Sequence, residues 1–261
     1  MCGILGITTK KEYKQTDIKE MTEILLKLSE SRGKEATGLA VKRKESIDVL
    51  KLPIGAPDFL RSQSYKEFSE NAFNGALSIM GHSRLATHGN EALSGNNQPV
   101  VKDNAVCVHN GIIANDETLW RQFPQLKRNY QVDTEIFLSL LQWFLGKTGS
   151  MAKAVQKTFE AIEGSASVGV LFNNNYSLLL ATNTGSLYTL DNRAKDTFVF
   201  ASERYILEQF IEKAEKIDSF RQEEIKQITP GNALLVDIQT LAKSMKVMLS
   251  GSKHFTHLFI L

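Results

Sequence analysis

The chain has 261 residues, 42% hydrophobic and 23% charged, with a formal net charge of +2. That suits one large globular domain or two small ones, and the near-neutral balance, with no basic block interleaved with aromatics, speaks against a nucleic-acid surface. No apolar run approaches the ~18–20 residues that span a bilayer, no signal-peptide plan precedes Lys10 and Lys11, and two cysteines, Cys2 and Cys107, make neither a disulfide framework nor a Cys-rich zinc site; the expectation is a cytoplasmic protein.

In chain order, residues 2–7 read as a short buried strand. A helix is expected from Asp17, with Glu20 three residues on as a capping box, Ile18, Met21, Leu25 and Leu28 on one face and Gly33 past its end. Residues 37–41 and 47–50 read as paired strands. A second helix is expected over 59–73 with Asp58 as N-cap, then a strand over 76–83. The Gly- and Asn-rich stretch 87–99 has no periodicity and reads as a functional loop, a natural gate for a pocket. A strand over 105–109 ends at Asn110-Gly111, a tight-turn signal.

Helices are expected over 115–123, 133–145 and 151–162. Strands follow over 167–172, 176–182, 186–190 and 197–201, separated by Asn- and Gly-bearing turns. A helix over 203–214 and a strand over 233–236 complete the pattern. Short strands with helices in separate blocks predict an α+β protein with largely antiparallel sheets rather than a doubly wound one. The expected domain runs from 2 to 240, and 241–261 is an apolar tail or the start of a linker.

Cys2 would carry both a thiol and a free α-amine once Met1 is removed. Their ordinary pKa values, about 8.5 and about 7.7–8.0, are close enough for the amine to take the thiol proton without a histidine. Alone, a cysteine after Met is more often an ordinary buried residue. It stands, however, at the head of an ordered set: Cys2-Gly3-Ile4-Leu5-Gly6-Ile7, Arg32-Gly33-Lys34-Glu35-Ala36-Thr37-Gly38, Gly81-His82-Ser83-Arg84-Leu85-Ala86-Thr87-His88-Gly89, Asn97-Gln98-Pro99, Val108-His109-Asn110-Gly111-Ile112-Ile113, Asp133-Thr134-Glu135 and Ala201-Ser202-Glu203.

That set resembles the class II, or N-terminal-nucleophile, glutamine amidotransferases, the family of glucosamine-6-phosphate synthase and amidophosphoribosyltransferase. The resemblance implies a four-layer αββα N-terminal-nucleophile hydrolase fold, with Cys2 starting an edge of the central sheets. It implies that Cys2 attacks L-glutamine and that Asn110 and Gly111 form the oxyanion hole. It also implies that Arg84 holds the substrate α-carboxylate with Thr87 nearby, that His88 helps close the pocket, and that Asp133 pairs with the α-ammonium. A guanidinium fork and a carboxylate on opposite sides of a pocket are well matched to an amino-acid head. His82 and His109 are expected as buried structural histidines, Cys107 as a core residue, and Arg32 as structural or near the N-terminus. No cofactor or metal is implied. The partners implied are L-glutamine and a synthase unit, with homo-oligomerisation open.

Lys34-Glu35-Ala36 and Leu85 depart from the sugar-amidating members, where an aromatic, Asp and Ser, and a Trp, are usual. The short remainder after residue 238 leads to the expectation of a stand-alone glutaminase or a piece of a larger enzyme, slow until its synthase engages. Two other functions fit the same residues: a glutamine-binding regulatory subunit with negligible turnover, and an N-terminal-nucleophile hydrolase of another amide. The Arg84–Asp133 combination disfavours the latter, because penicillin or bile-salt amides lack a free amino-acid head.

Overall fold

The computed structural model describes residues 2–85, 94–244 and 247–248. β1 (Gly3–Thr9) is buried throughout. α1 (Gln15–Ser29) begins two residues before the expected start: Lys14 occupies the cap position without a side-chain cap bond. Asp17 is therefore not the cap of a Glu20 capping box. It lies in the first turn, where a carboxylate meets the positive end of the helix. Ile18, Met21 and Leu25 are buried as the periodicity predicts.

β2 (Ala36–Lys42) and β3 (Ile47–Leu52) pair antiparallel. The helix expected over 59–73 is two, α2 (Ala56–Arg61) and α3 (Gln63–Ala72). Ser62 separates them with extended backbone, and its hydroxyl accepts the Tyr65 N–H at 3.1 Å. Capping that otherwise unpaired N–H favours a break over a continuous helix, and Asp58 instead sits inside α2, paired with Arg61.

β4 (Ser78–Arg84), β5 (Val100–Lys102) and β6 (Ala105–Ile113) follow. The turn expected at Asn110-Gly111 is absent. β6 runs through both residues, which pair with Ser167 and Ala166. Gly111 has φ 146°, and a Cβ there would stand 2.0 Å from the Ser165 carbonyl oxygen. Glycine serves a distorted strand here, with the same dipeptide that signals a hairpin.

The remaining elements are α4 (Asp116–Gln122), α5 (Asp133–Thr148), α6 (Met151–Ala161), β7 (Gly164–Phe172), β8 (Ser177–Thr182), β9 (Tyr188–Asp191), β10 (Thr197–Ala201), α7 (Arg204–Ala214), β11 (Lys226–Gln227), β12 (Asn232–Asp237) and β13 (Val247–Met248). They complete two antiparallel sheets, of order β11-β9-β10-β1-β4-β2-β3 and β13-β12-β8-β7-β6-β5. The tail expected over 241–261 lies outside the described residues except for 241–244 and 247–248, the latter pairing with β12.

Three apolar clusters define four layers. One joins α1, α2, α3 and α7 to the outer face of the first sheet. Another joins α4, α5 and α6 to the outer face of the second. The third lies between the sheets, with Ile4, Met80, Val106, Val108, Leu180, Phe198 and Phe200 among its members. The fold is thus the expected αββα. β1, however, does not lie at an edge: it is the fourth of seven strands, between β10 and β4. No helix among the described residues is long and apolar enough to cross a membrane.

Candidate active site

The Cys2 side chain is held by the end of the neighbouring strand. β1 pairs with β4 in a register that sets Gly3 opposite Ser83 and so brings Cys2 beside Arg84 and Leu85. The Leu85 N–H donates to Cys2 Sγ at 3.4 Å, and Sγ lies 3.4 Å from the Leu85 carbonyl oxygen. Burial pushes the thiol above its usual range, while the Leu85 N–H and the Arg84 guanidinium favour the thiolate and oppose that rise. Gly33 lies against the Arg84–Leu85 peptide, where a Cβ would be 2.2 Å from the Arg84 carbonyl carbon; any side chain there would displace the thiol's backbone partner.

Further contacts fix the start of β1. Arg32 Nε donates to the Cys2 carbonyl oxygen at 3.3 Å, and its guanidinium pairs with Glu203. Ser202 receives the Ile4 N–H on its hydroxyl and donates its own N–H to the Ile4 carbonyl. The outer motifs around Arg32 and Ser202-Glu203 therefore converge on one strand end.

Side-chain alternation along β4 turns Met80, His82 and Arg84 toward the second sheet. Arg84 is buried and donates to Asn97 Oδ1 at 2.5 Å. His82 Nε2 lies 3.2 Å from the His109 carbonyl oxygen, and burial pulls its pKa down to about 3, so the ring is neutral. Gln98 flanks the same residue of β6: its Nε2 donates to the His109 carbonyl and its Oε1 accepts the His109 N–H, at 3.0 and 2.5 Å. A side-chain amide thereby takes the place of a neighbouring strand beyond the end of β5.

Asn110 follows on β6, buried, its side-chain amide without a hydrogen-bond partner among the described residues. Asp133 opens α5. Val132 holds the cap position, so Asp133 is not the N-cap. Its Oδ2 accepts the Ile113 N–H at 2.8 Å and its Oδ1 lies 3.7 Å from His109 Nδ1. Its charge reaches the Cys2 thiol, raising its pKa.

Cys2 and Arg84, at the ends of β1 and β4, thus lie within electrostatic reach of Asp133, the first residue of α5, while Asn110 and Gly111 follow His109 along β6 of the second sheet. Thr87 and His88 lie outside the described residues, as does most of the loop expected over 87–99. His82 and His109 are both buried, and Cys107 is core. Among the described residues no group of three His, Cys, Asp or Glu is placed to hold a metal ion. Sequence reasoning assigned no role to the Leu85 backbone, Asn97 or Gln98. The motif Asn97-Gln98-Pro99 was the available signal for the last two; the Leu85 peptide had none.

Residues 82–209 match the family model described as a glutamine amidotransferase domain. The chain is 32% identical over 224 residues to the glutamine–fructose-6-phosphate aminotransferase (isomerizing) of Helicobacter pylori, covering 84% of this chain and 34% of the relative. The Escherichia coli protein of that name is 28% identical over 209 residues, 79% of this chain and 32% of the relative. The chain therefore spans about a third of the length of these relatives. Among solved structures, glutamine phosphoribosylpyrophosphate amidotransferase from B. subtilis superposes with a TM-score of 0.65 at 17% identity, over 93% of this chain and 49% of that one. A glutamine aminotransferase class-II domain protein from Silicibacter pomeroyi superposes with a TM-score of 0.54 at 12% identity, over 93% and 98%. These two likenesses are of fold.

Proposed function

We propose that this chain, which belongs to the class II glutamine amidotransferases, hydrolyses L-glutamine to glutamate and ammonia through a γ-glutamyl thioester on Cys2. The observation that carries the reading is the seating of the Cys2 thiol against the Leu85 peptide, within reach of the buried Arg84 guanidinium and of the Asp133 carboxylate at the start of α5. After Met1 is removed, the α-amine of Cys2 accepts the thiol proton. The sulfur then attacks the side-chain amide carbon. The Asn110 amide and the Gly111 N–H receive the negative charge that forms on oxygen. Collapse breaks the C–N bond, the α-ammonium returns its proton to the leaving ammonia, and water cleaves the thioester to glutamate.

Arg84 and Asp133 read the α-carboxylate and α-ammonium, with Thr87 assigned to the carboxylate side and His88 to closing the pocket. The thiol's raised pKa suits this scheme, because a thiol that stays protonated at neutral pH needs an adjacent base. A reducing, cytoplasmic setting suits a free nucleophilic thiol. The catalytic domain extends over 2–240, and the ammonia passes to a separate or further synthase unit, since relatives of which the match covers only 34% are named for an amino transfer to fructose 6-phosphate.

Intact mass of the purified protein, measured before and after 6-diazo-5-oxo-L-norleucine, tests the reading. The expected result is loss of Met1 and one glutamine-analogue adduct on Cys2 that excess glutamine suppresses. An unmodified Cys2 after prolonged exposure of correctly processed protein would overturn it.

A further inference from the structure

The carboxylate-reading side of the site is fastened from outside by a residue that none of the sequence motifs contains. Arg84 donates to the side chain of Asn97, so its aim depends on where the backbone at 97–99 lies. Lys51, on edge strand β3, donates from Nζ to the carbonyl oxygens of both Asn97 and Pro99, at 2.8 and 3.2 Å. The neighbouring position on β2 is Gly38, paired with Lys51. A Cβ on Gly38 would stand 2.2 Å from the Gln98 carbonyl oxygen and 2.8 Å from the Pro99 ring. The segment thus lies down on Gly38 while the lysine grips its carbonyls on either side of Gln98.

A second clamp holds the preceding residue. Asn96 and Gln131 are joined reciprocally: Asn96 Nδ2 donates to Gln131 Oε1 at 3.3 Å, and the Gln131 N–H donates to Asn96 Oδ1 at 3.0 Å. Gln131 belongs to the turn just before Asp133, and that turn is itself pinned. The buried Glu135 carboxylate accepts the Asn129 and Tyr130 N–H groups and pairs with Lys102. The carboxylate reader and the ammonium reader are therefore spaced by one continuous set of bonds from β3 to α5.

We infer that Lys51 is a positioning residue for substrate reading: by holding the carbonyls of Asn97 and Pro99 it sets the distance between the Arg84 guanidinium and the Asp133 carboxylate, and so the affinity for an α-amino acid head. The inference rests on the glutaminase reading given above. Burial draws the Lys51 amine down to about 8; its two carbonyl acceptors are what the ammonium form has in place of water. A methionine at 51 would keep the aliphatic stem and lose both bonds.

The test is the concentration dependence of Cys2 labelling by 6-diazo-5-oxo-L-norleucine, with iodoacetamide as a reagent that needs no amino-acid site. Lys51→Met is expected to raise the half-saturating concentration of the analogue about tenfold, the scale of a lost charge-assisted hydrogen bond. Its maximal labelling rate and its iodoacetamide rate should stay within about threefold of wild type. Lys51→Arg, which keeps the charge and donors, should recover part of the affinity. Gln131→Ala approaches the segment from the opposite flank and should shift the same parameter in the same direction; it keeps the idea refutable even where Lys51→Met does not fold. An unchanged half-saturation in Lys51→Met, or in Gln131→Ala where the Lys51 variant does not fold, ends the positioning role, as does an equal slowing with both reagents. If the analogue fails to label wild-type Cys2 at all, the glutaminase reading falls first and this inference with it.

Discussion

The space between the two sheets has an apolar end and a polar end, and the same strands build both. Along β4 the inward positions read Met80, His82, Arg84; along β6 they read Val106, Val108, Asn110; along β1, running the other way, Ile4 and then Cys2. Two or four residues of travel change the layer from a packed apolar core to a cluster of chemistry-bearing side chains. Alternation with period two makes this possible without any added element, because a strand that supplies Val108 to the core must aim Asn110 to the same side. The apolar end stabilises; the polar end buries Arg84 and His82 at a cost.

The strongest way to sharpen this contrast is Cys2→Ala. Ammonia release from glutamine should fall to the background of the assay, while the melting temperature stays within about 2 °C, since no packed apolar group is lost. Phe200→Ala attacks the other end. Phe200 is fully buried and fills the face of β1 where Gly6 leaves room, so the expected loss is about 3–5 kcal/mol of unfolding free energy in denaturant titration, with Cys2 in the folded fraction still labelled by the glutamine analogue.

A third variant separates chemistry from packing within the polar end. Asn110→Ala removes an amide with no hydrogen-bond partner among the described residues, so stability should change little. kcat should fall by about 10²–10³, because the donor matters where charge develops on oxygen. Equal losses in kcat and stability would make Asn110 a structural residue. The smallest effect concerns His82. The folded protein holds its ring neutral, with a pKa near 3, while the unfolded chain binds a proton near 6.5. The neutral ring's contribution is complete above pH 6.5 and declines as pH falls from 6.5 toward 3. Unfolding free energy should drop by about 1 kcal/mol between pH 7 and pH 5.5, and His82→Asn should flatten that slope in parallel titrations.

Much of this was legible where the signal was local. The alternating strands of the second half, the apolar stripe of α1 and the run of α5 are periodic patterns that tertiary contacts merely bury. Three of the readings that failed show why. Ser62 carries both a helix-compatible and a capping chemistry, and only the fold decides between them. Asn110-Gly111 is a hairpin signal that a strand can equally use, once Gly111 has a neighbouring carbonyl at contact distance. The central place of β1 depends on pairing with residues 197–201, a partner no local pattern names. Within the site, the residues that would touch glutamine belonged to recognisable motifs. The groups that hold them did not: the Leu85 peptide has no side-chain signature, and Lys51 and Gln131 act through contacts that exist only after folding.

The central place of β1 also sets a timetable for synthesis. β1 cannot complete its pairing until β10 exists, about two hundred residues later. At about 5–20 residues/s that interval lasts roughly 10–40 s. Throughout it β1 has at most its β4 neighbour and lacks the partner on its other side. The centre of the first sheet is therefore among the last parts of the chain to close, with an unpaired strand edge exposed until then.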